Sequence, residues 1–151
     1  MRSPVPRHEE TVHISRPIGE VYAYMGDISK EHEWQPQLVE AEQIPPGETR
    51  VGSKRRYVSE FMGKRLENTY EVIELEALRR LVCETTKGSA VSARTEIQWA
   101  ETPEGTQVTM SIEGKAGGLL RFIPTALIEA TFRSELETAL ARLKERLETG
   151  S

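Results

Sequence analysis

The clearest helical pattern in the chain follows Pro124, where more than twenty residues pass without another Pro or Gly. Apolar residues recur there at steps of one, three or four, which keeps one face of a helix apolar. We therefore predict a long helix over residues 124–147, about 35 Å in length, with Gly150 just past its end as a stop signal. The apolar positions are Leu127, Ile128, Phe132, Leu136, Leu140, Leu143 and Leu147.

Between residues 38 and 113 the apolar pattern changes to a period of two, which predicts strands. In the clearest run, the odd positions from Val91 to Trp99 are mostly apolar and the even positions are polar. This alternation is typical of a half-buried strand. Clusters of Pro and Gly separate the runs, as at residues 45–47 and 102–105, and they indicate turns. The region is predicted to form six strands joined by hairpin-like turns.

The N-terminal part begins with a predicted strand over residues 10–15, preceded by a short arm that we expect to be frayed. Pro17 favours the start of a short helix, with Ser15 as a candidate N-cap. A second short helical piece is predicted from Ile28 to about Glu33. A sheet with one apolar face and a long helix with one apolar stripe can bury each other if the sheet curves around the helix.

At this point the sequence resembles the START-like helix-grip superfamily and, within it, the polyketide cyclase/dehydrase and lipid transport (SRPBCC) family. The resemblance covers about residues 8–147, and the order and spacing of several short motifs carry it. These are residues 16–22 after the first strand, Gly26-Asp27, Trp34-Gln35-Pro36, Val51-Gly52-Ser53, Tyr70-Glu71-Val72 ahead of residues 78–81, and Gly105-Thr106-Gln107-Val108.

The resemblance implies an α+β helix-grip fold. In this fold a seven-stranded antiparallel sheet wraps around the long C-terminal helix, two short helices follow the first strand, and a hydrophobic cavity lies between sheet and helix. Members of the family bind lipids, sterols, plant hormones or polyketides, and some catalyse cyclisation or dehydration. The fold alone does not choose among these functions.

Size and composition are consistent with one domain over residues 1–151, with an ordered core at about residues 8–147. The net charge of −4 argues against nucleic acid as a partner, because phosphate binding needs a basic surface. No apolar run approaches the roughly 20 residues of a transmembrane helix, and the N-terminus lacks the apolar segment of a secretory signal. We therefore expect a cytoplasmic protein. The single Cys83 cannot form an internal disulfide and is interpreted as a small buried residue.

The leading functional hypothesis is the binding of a small hydrophobic, lipid- or polyketide-like ligand in the cavity. Glycines at 114, 117 and 118 and the apolar residues after them are expected to form a pliable entrance. The alternative for each lining residue is that it simply fills the core. The candidate ligand-binding residues are Arg55, Tyr57, Phe61, Tyr70, Trp99, Met110, Leu120, Ile123 and Leu127.

Arg55 is the most interesting polar candidate, since it shares a strand face with Tyr57. A guanidinium at the cavity mouth could hold a carboxylate or an enolate through two hydrogen bonds. The alternative is an Arg at the end of a strand whose side chain reaches out to water.

An enzyme is the second hypothesis, because a titratable group in a water-poor pocket could act as an acid or base. If so, it would be a cofactor-independent enzyme of the aromatase/cyclase or dehydratase type. No spacing in the sequence matches a metal site, a phosphate loop or a nucleophile elbow. His13 and His32 are both expected to face solvent. The remaining acid–base candidates are Glu60, Glu67, Tyr57 and Tyr70.

A protein-interaction module is the third hypothesis. Leu119 and Phe122 lie beyond the core stripe of the terminal helix. If exposed, they would form an apolar patch for a partner or for a second copy of the chain in a homodimer. The alternative is that they line the cavity mouth.

Overall fold

The computed structural model describes residues 6–61, 63–114 and 121–150, with Phe61 described through its backbone. Seven strands form one antiparallel sheet, and a long helix follows them, as predicted. The strands are β1 (Arg7–Ile14), β2 (Leu38–Ile44), β3 (Lys54–Phe61), β4 (Lys64–Glu76), β5 (Arg80–Thr85), β6 (Ala93–Thr102) and β7 (Gly105–Gly114). The helices are α1 (Ile18–Gly26), α2 (Glu31–Trp34) and α3 (Thr125–Thr149), and Ile28–Lys30 forms a 3-10 turn between α1 and α2.

The strands are ordered β1-β7-β6-β5-β4-β3-β2 across the sheet. Strands β2 to β7 are therefore neighbours in the order of the chain, and β1 returns to pair with β7 at the far edge. The connection between the two edge strands carries α1 and α2. Helix α2 packs against both α3 and β2, so this connection closes one side of the space between sheet and helix.

The C-terminal half of α3 packs into a hydrophobic core. Leu140, Leu143 and Leu147 are buried there, together with Trp99 from β6. Trp99 makes an edge-to-face contact with Tyr22 of α1, with ring centroids 4.8 Å apart. Because large side chains fill this end, any space between sheet and helix has to lie beside the N-terminal half of α3.

The period-two alternation of β6 is confirmed, since its odd positions turn toward the core: Ala93 and Trp99 are buried. The predicted apolar stripe of the long helix is also confirmed, with one exception. Leu127 is 45% exposed, whereas Ile128 beside it is 1% exposed. Consecutive residues on a helix point about 100° apart, so only one of the two can face the sheet.

Two local predictions at the N-terminus are wrong. Strand β1 begins at Arg7 and not at residue 10, so Arg7 and His8, which were expected to belong to the frayed arm, pair with β7. Helix α1 is preceded by Pro17, which makes no side-chain cap, so Ser15 is not its N-cap. Instead, the backbone N–H of Ser15 donates a hydrogen bond to Glu148 near the end of α3.

Candidate functional site

A pocket of about 200 Å³ lies between the concave face of the sheet and the N-terminal half of α3. We call it the central pocket. Its apolar walls come from every layer: Trp34 of α2, Leu38, Leu81, Ile97, Met110 and Ile112 of the sheet, and Phe132 and Leu136 of α3. Its polar lining includes Glu31, Arg55, Tyr57, Ser59, Glu60, Asn68, Tyr70, Cys83, Thr95 and Glu135.

A buried ion pair forms one end of the central pocket. Nη1 of Arg55 on β3 lies 2.9 Å from Oε1 of Glu31 on α2, and the two side chains are 4% and 3% exposed. The other guanidinium hydrogen bonds go to the Gln43 side chain, the Thr49 hydroxyl and the Gly26 carbonyl. Arg55 therefore ties the connection that carries α1 and α2 to the sheet.

This environment affects both charges of the ion pair. Burial raises the pKa of Glu31 to about 7, although Arg55, Gln35 and Tyr57 each lower it. Burial also disfavours the charge on Arg55, but Tyr57 and Glu31 outweigh it, and the pKa of Arg55 is raised. The guanidinium thus stays charged, and Glu31 is the member of the pair that can exchange a proton near neutral pH.

The position of Arg55 differs from both sequence interpretations. Its side chain does not extend toward water, because it is 4% exposed and four neighbours already hold its guanidinium. Its charge is compensated by Glu31, so little of it is left to bind an anionic ligand.

Two tyrosines continue the polar lining from the ion pair across the floor of the pocket. The Tyr57 hydroxyl donates a hydrogen bond of 3.4 Å to Oε1 of Glu31. The Tyr57 and Tyr70 rings meet edge to face, with centroids 5.9 Å apart. Burial raises the pKa of both phenols. The negative charge of Glu31 also raises the pKa of Tyr57, and that of Glu135 also raises the pKa of Tyr70. Both are therefore neutral hydrogen-bonding groups at physiological pH.

Glu135 of α3 contributes another carboxyl to the lining of the pocket. It lies on α3 between the pocket-lining residues Phe132 and Leu136. Burial alone raises its pKa to about 7. Within the described parts of the chain, Glu135 forms no hydrogen bond and no ion pair. Unlike Glu31, this carboxyl has no counter-charge among the residues that the structure describes.

The structure brings four of the nine predicted ligand-binding residues together at the pocket: Arg55, Tyr57, Tyr70 and Met110. Three others lie elsewhere. Trp99 is in the hydrophobic core beside the C-terminal half of α3, Ile123 packs against a small cluster around Ile128, and Leu127 is exposed. Leu120 and the side chain of Phe61 lie outside what the structure describes, as do Leu119 and the glycines at 117 and 118 of the predicted entrance.

The structure places the acid–base candidates in different surroundings. Glu60 lines the pocket from an exposed position, whereas Glu67 pairs with Arg56 on the outer face of the sheet. His32 is exposed, as expected, but His13 is partly buried and its Nε2 lies 2.9 Å from the Thr102 hydroxyl oxygen. Cys83 is buried, as predicted, and burial raises the pKa of its thiol to about 11, so it is not a thiolate nucleophile.

Three potential metal-ligating side chains come together away from the pocket. They are His8 and Glu10 of β1 and Glu137 of α3. Each offers one ligand atom, and the three atoms lie within 4.8 Å of one another. Nε2 of His8 already lies 2.7 Å from Glu10. Glu137 is exposed, so the group is a surface cluster.

Sequence reasoning missed Glu31 and Glu135, although the sequence carried a signal for each. Glu135 follows Phe132 by three residues and precedes Ala139 by four, which puts a charge on the apolar stripe of the helix. Glu31 is likewise three residues from both Ile28 and Trp34. A carboxyl among apolar residues on one helix face indicates either a buried partner or a functional group.

The comparisons with known proteins agree with this architecture. The sequence profile of the family described as "Polyketide cyclase / dehydrase and lipid transport" matches residues 6–148. The chain belongs to this family. No significant match exists among curated proteins.

Solved structures share the fold at low sequence identity. A START superfamily protein from Mycobacterium smegmatis has a TM-score of 0.79 at 13% identity, covering 96% of this chain and 99% of the other. A protein from Thermus thermophilus has a TM-score of 0.76 at 18% identity, covering 98% and 99%. A protein from Nitrosomonas europaea has a TM-score of 0.73 at 17% identity, covering 95% of both chains. Among the described residues, no helix is long and apolar enough to span a bilayer.

Proposed function

We propose that the protein binds a small, largely apolar ligand in the central pocket. The observation that carries this proposal is the composition of the walls: aromatic and aliphatic side chains from α2, the sheet and α3 enclose the space, and polar side chains such as Tyr57, Tyr70 and Glu135 lie among them. Apolar walls supply affinity by removing ligand surface from water, and sparse polar groups fix its orientation.

The size of the pocket limits the ligand. A cavity of about 150 Å³ in another protein is large enough to hold benzene, and the central pocket measures about 200 Å³. The enclosed part of the ligand is therefore a group of one or two rings, or a short branched chain. A longer lipid or polyketide would have to extend beyond the pocket toward solvent.

The indole N–H of Trp34 provides a direct test. It is buried, it makes no hydrogen bond to the described residues, and its ring lines the pocket. The chain contains two tryptophans, so a Trp99→Phe variant leaves Trp34 as the single indole signal in an NMR spectrum. Titration with the neutral probe 2-naphthylmethanol should shift this signal in a saturable way.

A matched pair of variants on β3 makes the test specific to the pocket. Ser59 lines the pocket, and Val58 points to the other face of the strand. In the Trp99→Phe background, Ser59→Phe should fill the space and abolish the shift, whereas Val58→Phe should retain it. An unresponsive Trp34 signal, or an equal response in the Ser59→Phe protein, would contradict the proposal.

A cofactor-independent enzyme is the second candidate function, because the pocket contains two carboxyls whose pKa is about 7. An acid–base group works best when its pKa lies near the working pH. In D₂O, such a carboxylate would take a proton from the carbon beside the carbonyl of 1-phenyl-2-propanone and return a deuteron to it. Mass spectrometry should show deuterium uptake that rises with pH through about 7. Uptake no faster than in buffer would contradict this second function.

A further inference from the structure

The charges around the central pocket are unbalanced. Its described lining contains three carboxyls, Glu31, Glu60 and Glu135, and one cationic side chain, Arg55. Arg55 and Glu31 neutralise each other in their ion pair. The carboxyls of Glu60 on β3 and Glu135 on α3 remain, and no other lining residue that the structure describes offers them a cation.

These two carboxyls stand where the pocket meets the protein surface. Glu60 and Glu135 also line an adjoining surface depression, together with Gln37, Thr131 and Ser134. A ligand entering the pocket from this side passes both carboxyls before its apolar part reaches Trp34 and Phe132. The same carboxyls repel an incoming anion, since like charges a few ångströms apart interact unfavourably even in partly exposed sites.

Glu135 is the better placed of the two to bind a ligand group. Glu60 is exposed and well hydrated, whereas Glu135 lies between two apolar residues of α3 and has lost much of its water. In the described lining of the pocket, the other titratable side chains are Tyr57, Tyr70, Glu60, Cys83 and the Glu31–Arg55 pair, whose single cation is already compensated. A partly desolvated carboxylate without a counter-charge gains more from a cation than a hydrated one does.

We propose that the ligand carries a basic nitrogen, protonated at neutral pH, which pairs with the Glu135 carboxylate while the apolar body of the ligand fills the central pocket. This inference rests on the proposed function and names the ligand class for the same pocket. It predicts discrimination against fatty acids and other anions, which would have to pass Glu60 and Glu135.

Three probes with the same two-ring body test the charge preference: 2-naphthylmethylamine, 2-naphthylmethanol and 2-naphthoate. Isothermal titration calorimetry at pH 8 should give the order amine, alcohol, carboxylate, with at least about tenfold between amine and alcohol. The advantage of the amine over the alcohol should shrink as the pH falls from 8 to 6, because Glu135 then takes up a proton.

Two substitutions on α3 assign the effect to one residue. Glu135→Gln keeps the shape of the side chain, and we expect it to weaken amine binding about tenfold while leaving alcohol binding within about twofold. Glu145→Gln, at an exposed position of the same helix, should change neither.

The outcomes separate this inference from the proposed function. If the alcohol binds but the amine has no advantage, or if the Glu135→Gln protein keeps that advantage, the pocket binds ligands and the charge inference is wrong. If carboxylate binding is the tightest, the inference is also wrong. If none of the three probes binds, the proposed function fails and this inference fails with it.

Discussion

Nη1 of Arg55 donates a 2.9 Å hydrogen bond to Oε1 of Glu31, and this pair joins β3 to α2 inside the protein. Breaking a buried pair from one side is strongly destabilising, because the remaining charge is left without compensation. We expect Arg55→Met to lower the free energy of unfolding by roughly 3–5 kcal/mol at pH 8, as measured by urea denaturation.

The pH dependence of that loss identifies its cause. At pH 5 Glu31 is protonated in the variant and, because its pKa is raised to about 7, in the wild type as well, so the ion pair is already weakened and Arg55→Met should cost less there than at pH 8. The double variant Glu31→Met, Arg55→Met should recover much of the loss, since a well-packed apolar pair can replace a buried ion pair. Arg56→Met on the same strand, at the exposed pairs with Glu40 and Glu67, should have a much smaller effect. A pH-independent loss, or no recovery in the double variant, would argue against this interpretation.

Glu135 should make the protein less stable as the pH rises. Burial raises its pKa from the ordinary value of 4.5 to about 7, so the folded state binds this proton more tightly than the unfolded state does. The stabilisation from the bound proton is complete below pH 4.5 and is lost as the pH rises through about 7.

Glu135→Gln should therefore be more stable than the wild type at pH 8, by up to about 3 kcal/mol, and about equally stable at pH 4.5. Urea denaturation across this pH range measures the difference, and Glu145→Gln serves as the control. A constant difference between pH 4.5 and pH 8 would show that Glu135 does not titrate in this window.

Gly105 at the start of β7 has no room for a side chain. A Cβ atom there would lie 2.1 Å from the Ile14 carbonyl oxygen and 2.9 Å from the Arg16 nitrogen. These are backbone atoms of the last residue of β1 and of the segment that follows it, and they cannot move aside without shifting the chain. We expect Gly105→Ala to lower the free energy of unfolding by about 3 kcal/mol or more, in the range that marks steric conflict.

Gly19 in α1 is the matched control for this substitution, because nothing lies within 4 Å of its added Cβ. Alanine has a higher helix propensity than glycine, so Gly19→Ala should stabilise the protein by about 0.5–1 kcal/mol. Thermal or urea denaturation compares the two variants, and equal effects would contradict the placement of Gly105.

The two faces of α3 can be compared with one type of substitution. Leu143 is fully buried and Leu127 is 45% exposed. Leu143→Ala should cost roughly 2–5 kcal/mol because it leaves a cavity. Leu127→Ala should stay within about 0.5 kcal/mol of the wild type. Similar losses at both positions would mean that a partner or a second copy of the chain covers Leu127, and sedimentation velocity would then show the association.

The regular part of the fold could be predicted from the sequence because burial imposes a period on each element. The odd positions of β6 and the stripe from Ile128 to Leu147 follow this rule. The error at Leu127 arose because Leu127 and Ile128 are adjacent apolar residues. Periodicity alone does not show which of the two faces the sheet. The error at β1 came from a polar edge strand, since Arg7, His8 and Glu9 give no apolar alternation.

The site was only partly predictable, for a different physical reason. Tyr57, Tyr70 and Met110 were found because strand alternation places them on the concave face. Glu31 sits in a four-residue helix among charged neighbours, and its partner Arg55 is 24 residues away in the chain. Pairing across that distance depends on how α2 packs against the sheet, which no local pattern encodes. Glu135 was detectable as a charge on an apolar stripe, but only the three-dimensional structure shows that no described residue pairs with it.

The most direct measurement of the central claim is native mass spectrometry of the wild type and the Ser59→Phe variant, both purified from the cells that naturally produce the protein. We predict that the wild type carries a near-stoichiometric small molecule, released on denaturation and identifiable by its fragments, and that the filled pocket of the variant carries none. A wild-type protein without a bound molecule, or the same molecule in both preparations, would contradict the claim that the central pocket is the binding site.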